Sequence, residues 1–281
     1  MDIILAALEQ SLILLPLVLG MHLSYRILNI TDLTVDGTYV LGAAIFASCI
    51  HLGLLPAMLL SILAGSLVGT IVGLMQRHNI VSDLVVGILA SFMLYSVNLQ
   101  VMGRPNISIL GKPSILSMTS QDIWIIPLGI IGFALIITLI ILLQSKLGLV
   151  LRSFGQNQKL LDLLGKKAEN YRILGLIISN SLAALSGMLA AQVNGFADIN
   201  MGFGVALIAI GAVMIGRHII IKQQENFSAV KEIITGFVGI LIYFLCLSTL
   251  LRIGINPASL KFVLGAVLFI SLRKIHRGIT I

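Results

Sequence analysis

Long apolar stretches, each bounded by charged or turn-forming residues, follow one another along almost the whole chain. Most of them run close to the roughly 20 residues that an α-helix needs to cross a bilayer. They predict an all-α polytopic membrane protein with nine spans, at residues 3–25, 33–51, 53–75, 80–102, 122–144, 171–194, 199–216, 228–251 and 258–272. The second, seventh and ninth spans are short, as a broken or re-entrant helix would be, so a tenth crossing stays open.

The composition supports a lipid environment for the whole chain. Of its 281 residues, 58% are hydrophobic and 10% are charged, and the mean hydropathy is +1.08. A soluble domain carries about a quarter charged residues. Because the apolar stretches leave little chain between them, we predict a single transmembrane domain over residues 1–281 and no soluble catalytic domain.

Lysine and arginine residues are scattered at the ends of the predicted spans. If the N-terminus lies outside, all but four of the 18 basic residues fall on the cytoplasmic side, and those four are Arg104, Lys112, Arg252 and Lys261. This bias follows the positive-inside rule and predicts an outer N-terminus and a cytoplasmic C-terminus. The scatter also explains the net charge of +7 without a nucleic-acid partner.

The two longest polar connections lie on opposite sides in this topology. Residues 103–121 are outside, and residues 145–170 form a cytoplasmic loop. Within that loop, between Gln156 and Leu164, four leucines at positions 160, 161, 163 and 164 stand among polar residues, and Gly165 follows them. This pattern predicts a short amphipathic helix that ends at a glycine cap. Such a helix could rest on lipid headgroups or dock into a partner protein, and amphipathicity alone supports both.

The chemistry-bearing residues form no recognisable catalytic or metal-binding arrangement. The histidines stand mostly singly at span ends, the cysteines have no metal-ligand spacing, and neither H-E-x-x-H nor a phosphate-binding loop occurs. We therefore predict no catalytic residue, no metal site and no cofactor in this chain. Small residues at every fourth position of the third and sixth spans predict close helix packing instead: Ser61, Gly65, Gly69 and Gly73, and Ala183, Gly187, Ala191 and Gly195.

Two of the short spans open with similar polar segments. In the predicted topology one segment starts on the cytoplasmic side and the other on the outer side, as in inverted repeats whose broken helices flank a pathway. We predict that both border a substrate pathway, through Asp32, Thr34, Asp36, Gly37 and Thr38 in the first and Asp198, Asn200 and Gly202 in the second. Asn98 and Asn194 lie toward the outer ends of their spans, where they could line an entry or bond a neighbouring helix.

Four ordered motifs carry a family resemblance. They are Asn29-Ile-Thr-Asp-Leu-Thr-Val-Asp-Gly37, Met102-Gly-Arg-Pro-Asn-Ile-Ser108, Arg152-Ser-Phe-Gly-Gln-Asn157 with Gly165, and Gly195-Phe-Ala-Asp-Ile-Asn-Met-Gly202. The chain resembles the permeases of the branched-chain amino acid and ribose ABC importer superfamily. Within it, the chain is most similar to the compact branch labelled tryptophan/tyrosine-type or uncharacterised ABC permeases.

The resemblance implies a permease dimer in the bacterial cytoplasmic membrane, two cytoplasmic ABC ATPase subunits that bind ATP and Mg, and an external substrate-binding protein or lipoprotein. It favours the docking interpretation of the amphipathic helix, with ATPase contacts at Gly155, Gln156, Asn157, Leu160, Leu164 and Gly165. It places the binding-protein contact near Arg104 and Asn106. The implied cargo is a small polar solute, an amino acid first, with a nucleoside or a sugar still open.

Three other functions would use the same residues differently. A secondary transporter could couple the solute to an ion through Glu9, Asp32, Asp36 or Asp198, but it would need no docking helix. An enzyme working within the membrane would need a nucleophile and base or a metal site. A structural scaffold would leave the two similar polar segments unexplained.

Overall fold

The computed structural model describes residues 2–77, 81–115, 125–220 and 228–254. The helices are α1 (Asp2–Met21), α2 (Val35–Cys49), α3 (Leu54–Met75), α4 (Asp83–Met102), α5 (Ile125–Gln144), α6 (Lys146–Gln156), α7 (Gln158–Leu163), α8 (Ala168–Asn194), α9 (Val205–Ile220) and α10 (Ala229–Arg252). A π-helical turn, His22–Ile27, continues α1, and a 3₁₀ turn, Ile50–Leu52, continues α2. Two short strands, β1 (Asn106–Ser108) and β2 (Phe196–Asp198), pair antiparallel.

The helices confirm the prediction of an all-α polytopic membrane protein. Within the described ranges, seven helical segments are long and apolar enough to cross a membrane, and α9 is a shorter apolar helix. Each of the first eight predicted spans coincides with one of these helices, whereas the ninth, at 258–272, lies outside the described residues. Helix α9 begins at Val205, six residues later than the predicted seventh span, because the polar segment before it is not helical.

Helix α8 lies at the centre of the bundle. Its apolar and small residues are buried along most of its length, and it packs against α1, α2 and α3. Helix α5, in contrast, buries only Leu128, Gly132, Leu139 and Leu143 and leaves its other apolar side chains exposed or partly exposed. Exposed apolar side chains on α3, α4 and α5 are what a lipid-facing surface requires, because lipid solvates them as well as a protein core does.

The small-residue faces bring α3 and α8 together, as their spacing predicts. Gly65 and Gly69 of α3 face the backbone of α8, and a Cβ atom added at Gly65 would lie 2.6 Å from the carbonyl oxygen of Asn180. On α8, Gly187 lies against the backbone of Tyr39 in α2. The absence of side chains at these glycines therefore lets three helices share backbone contact at the centre of the bundle.

The two ends of the bundle carry different structures. At one, the strand end, β1 after α4 pairs with β2 after α8, with Asn106 opposite Asp198. At the other, the α6–α7 end, residues 145–170 hold two helices where the sequence predicts one. Helix α6 was missed, whereas α7 lies inside the predicted helical segment and is followed by Gly165 with a φ of +72°.

Helices α2 and α9 both begin in the interior of the bundle, close to each other. A non-helical segment from the α6–α7 end precedes α2, and one from the strand end precedes α9. The start of α2 bonds to Asn180, which lies near the middle of α8, about 20 Å from either end by helix rise. These two helices are therefore the broken helices that the paired polar segments predict.

The α3–α8 contact gives a direct test of this packing. Gly65→Ala should lower the free energy of unfolding by about 1–3 kcal/mol, because the new methyl group meets backbone that cannot move aside. Gly129→Ala on α5 is the matched control, since a Cβ there meets nothing within 4 Å. The measurement is the thermal unfolding midpoint of each purified variant in detergent. Equal midpoints for both variants would contradict the close packing of α3 on α8.

Candidate translocation and coupling sites

Asp32 stabilises the start of α2 inside the bundle. Its side chain is fully buried, and its two carboxylate oxygens accept hydrogen bonds from the Thr34 backbone N–H at 2.9 Å and from the Asn180 amide at 2.8 Å. The Thr38 hydroxyl lies 2.7 Å from the Asn180 side-chain oxygen and 3.1 Å from the Thr34 carbonyl. The first N–H groups of a helix have no partner within the helix, so a carboxylate in this position both satisfies a donor and neutralises the positive helix end.

Asp36 does the same for the other broken helix. Its carboxylate accepts hydrogen bonds from the backbone N–H of Gly204 at 3.2 Å and of Ala206 at 2.6 Å. Those are the residue before α9 and the second residue of α9, so a side chain on α2 caps α9. Gly202 lies directly against the backbone of Asp36, which leaves no room for a side chain between the two segments.

This pair of helix starts forms an electrostatically unusual centre. In the part of the chain that the structure describes, neither Asp32 nor Asp36 makes an ion pair with a lysine or arginine, and backbone and amide N–H groups are their partners. The positive ends of two helix dipoles and two carboxylates thus stand together in the interior. Because a carboxylate oxygen can accept more than one hydrogen bond, such a centre can offer acceptors to a small polar molecule.

Helix α4 holds this centre from a third side. Asn98 is 1% exposed and donates to the carbonyl of Gly37 at 3.0 Å, and Ser91 donates to the carbonyl of Leu33 at 2.7 Å. Asn98 therefore bonds the neighbouring helix, one of its two sequence-based possibilities, and joins the Asp32 and Asp36 group.

The other predicted pathway residues lie elsewhere, at the strand end. Asp198 accepts hydrogen bonds from the Asn106 amide at 3.0 Å and from the Asn200 backbone N–H at 2.8 Å. Asn194 and Asn200 are exposed. The structure thus divides the predicted set: Asp32, Thr34, Asp36, Gly37, Thr38, Asn98 and Gly202 gather in the interior, whereas Asn194, Asp198 and Asn200 do not.

The strand end presents the residues predicted to dock a binding protein. Arg104 and Asn106 are both exposed, and Asn106 is tied to β2 through Asp198. A large apolar side chain follows β1 at this end, with Leu110 79% exposed. Ile107 and Ala197 point inward and anchor the strand pair to the bundle.

The residues predicted to contact an ATPase differ in exposure. Gln156, Asn157, Leu164 and Gly165 are exposed, and Leu163 beside them is 84% exposed. Gly155 instead lies against the carbonyl of Ile27, so it brings α6 close to the end of the first span. Leu161 is buried and holds α7 on the bundle. The side chain of Leu160 is outside the described part of the molecule.

Arg172 links this end to the transmembrane helices, and sequence reasoning missed it. It is 3% exposed, donates to the Gln76 carbonyl at 2.6 Å after α3, and lies 3.6 Å from the Asp83 carboxylate at the start of α4. Its guanidinium also stands 5.7 Å from the centre of the Phe154 ring of α6 and 3.5 Å from the Gln158 side chain of α7. The signal available in the sequence was an arginine at the start of a predicted span. Its burial and its partners could not be predicted, because those partners are distant in sequence.

Glu232 is a second buried charge that sequence reasoning missed. Its carboxylate lies 3.4 Å from the His22 ring and 3.9 Å from both Arg26 and Arg217. The group therefore ties α10 to the end of the first span and to the last turn of α9. All four residues stand at the ends of apolar segments, where charged side chains meet the headgroup region.

Comparison with known proteins gives a family and two relatives. A family model described as "Branched-chain amino acid transport system / permease component" matches residues 3–272. The chain belongs to this permease family. It is 60% identical over 277 residues, 99% of each chain, to the uncharacterized protein RP368 of Rickettsia prowazekii (strain Madrid E). It is 34% identical over 267 residues, 94% of this chain and 88% of the other, to a tyrosine transport system permease protein of Clostridioides difficile (strain R20291). No solved structure matches it significantly.

The Asp36 cap leads to a test of the permease centre. Asp36→Ala should lower the free energy of unfolding by about 0.5–2 kcal/mol, the range for losing a helix N-cap, because two α9 N–H groups lose their acceptor. Asp36→Asn keeps one acceptor oxygen and should lose less. Thermal unfolding of the purified chain measures both. An alanine variant as stable as the wild type would show that the cap does not hold α9.

Proposed function

We propose that this chain is the permease subunit of an ATP-binding-cassette importer that moves a small polar solute of the amino-acid class. The observation that carries the proposal is the meeting of two helix starts in the interior, with Asp32 and Asp36 as their acceptors. The family match and the name of the tyrosine permease relative support the transport class and the cargo class. In this proposal the whole chain, residues 1–281, is one transmembrane domain.

The orientation follows from the distribution of basic residues. The α6–α7 end faces the cytoplasm, the strand end faces outward, and the membrane is the bacterial cytoplasmic membrane. An external binding protein docks at the strand end near Arg104 and Asn106, and a second copy of the chain completes the pathway. Asp198 and Asn200 then border the outer entry, and the interior centre is the midpoint of the route.

An amino-acid cargo suits the chemistry of that centre. A carboxylate can accept hydrogen bonds from an ammonium group, and the start of a helix favours a carboxylate. The broken helices of transporters use their half-helix starts in this way. A nucleoside or sugar would use the same donors and acceptors without the charge complementarity.

The energy comes from a partner. This chain needs no cofactor of its own, and ATP and Mg bind to a cytoplasmic ATPase dimer that docks on α7. The exposed Leu163 and Leu164 form the apolar part of that contact. Arg172 then transmits the movement, because it contacts α6 and α7 on one side and the ends of α3 and α4 on the other.

Co-purification from native membranes tests this proposal first. An ATPase should accompany the wild type and should be lost with Leu164→Glu, because a charge replaces an apolar contact. Leu110→Glu is the matched control, as Leu110 is an exposed leucine at the strand end. Retention of the ATPase by Leu164→Glu would contradict docking at α7, and a wild type without any ATPase would contradict the importer itself.

An ion-coupled secondary transporter is the second candidate. The specific observation in its favour is Asp32, a fully buried carboxylate whose described partners are all neutral. Uptake that stops with an uncoupler but tolerates ATP depletion would establish it. Uptake that stops with ATP depletion alone supports the importer.

Arg172 gives a test of transmission that is separate from docking. Arg172→Gln should leave the ATPase bound but reduce the solute moved per ATP by about fivefold or more, which is the scale of typical coupling free energies. Arg77→Gln is the control, because it removes an exposed ion pair with Glu169 at the same end. A variant with unchanged transport per ATP would show that Arg172 serves packing alone.

A further inference from the structure

A polar cavity of about 400 Å³ opens at the α6–α7 end, between the end of the first span, α6 and the start of α10. Its polar lining includes Arg26, Arg152, Ser153, Gln156 and Glu232. The permease pathway described above does not use it, since the pathway residues surround the starts of α2 and α9 in the interior.

The position of the cavity along the membrane normal can be inferred from the elements that form it. Arg26 lies near the end of a first span of 25 residues, and Glu232 lies in the first turn of α10. Arg152 is on α6, soon after α5 ends at Gln144. Residues at the ends of apolar spans stand at the level of the lipid headgroups. The cavity therefore opens where phosphate groups of lipids lie.

The charge balance of the cavity is positive. The Arg26 side chain is 43% exposed and lies 3.9 Å from Glu232. Glu232 is shared with Arg217, also at 3.9 Å, so one carboxylate faces two arginines. The Arg152 guanidinium is oriented by the carbonyls of Gly148 at 3.3 Å and Leu143 at 3.4 Å. These bonds orient the second of the two arginines that line the cavity, which also holds the single carboxylate of Glu232.

We propose that this cavity binds the headgroup phosphate of an anionic phospholipid. Guanidinium groups recognise phosphate through paired charge-assisted hydrogen bonds, and basic pockets between transmembrane helices on the cytoplasmic side bind anionic headgroups. Ile27 and Leu149 add apolar surface to the lining, and Leu149 is 59% exposed. A phospholipid has both parts, a phosphate for the arginines and a glycerol and acyl region for Ile27 and Leu149, whereas a free phosphate ion has only the first.

Thermal unfolding of the full chain in a neutral detergent tests this site. Phosphatidylglycerol should raise the unfolding midpoint of the wild type by several degrees more than phosphatidylcholine does, because a ligand that binds only the folded state stabilises it. Arg26→Gln with Arg152→Gln should abolish that difference. Lys166→Gln with Lys167→Gln is the matched control, because it removes two exposed positive charges at the same end outside the cavity and should keep the difference.

Two further measurements separate recognition by guanidinium from simple charge, and a lipid from a free phosphate ion. Arg26→Lys with Arg152→Lys keeps the charge but loses the paired donors, so it should fold normally and show a reduced lipid difference. Inorganic phosphate added without lipid should give little shift. Three results would each overturn the lipid assignment. The wild type could respond equally to both lipids, or the Lys166→Gln, Lys167→Gln control could lose the difference as the Arg26→Gln, Arg152→Gln variant does. The third is a full shift from inorganic phosphate alone.

Discussion

The fold depends on how two helices can begin inside an apolar bundle. The first N–H groups of a helix need acceptors, and lipid and apolar side chains supply none. The chain meets this requirement with two carboxylates: Asp32 bonds the backbone just before α2, and Asp36, on α2, bonds the start of α9. Because the second acceptor is carried by the first broken helix, the start of α9 is complete only when α2 is in place.

Close packing around α8 makes this arrangement possible. The glycines of α3 and α8 bring three helix backbones together, so that Asn180 on α8 can reach both Asp32 and Thr38. A side chain at these glycines would separate the helices and leave the carboxylate of Asp32 without its amide partner. The hydrogen bonds of Asp32 therefore depend on the close backbone contacts at the glycines, and residues from both halves of the chain supply the two.

Much of the fold could be predicted from the sequence, since a membrane helix is specified locally by its apolar length. The paired polar segments also indicated where α2 and α9 are broken. That Asp198 borders the pathway as Asp36 does stays a prediction. The structure places Asp198 at the strand end and Asp36 in the interior, because residues before a broken helix extend from one end of the bundle to its interior and spacing alone does not show where each lies. Arg172 and Glu232 were missed for a related reason, since each is defined by partners on other helices. Helix α6 was hidden because its polar residues resemble a loop.

The position of Arg172 connects the two candidate sites of this permease. Arg172 and Asn180 stand on the same helix, about 12 Å apart along α8. One contacts the helices of the α6–α7 end, and the other bonds the start of α2. A helix is stiff over two turns, so a displacement of α8 at Arg172 must also displace Asn180 and, through it, Asp32. A force applied at the α6–α7 end can thus reach the interior centre through one continuous helix, without a chain of independent side-chain rearrangements.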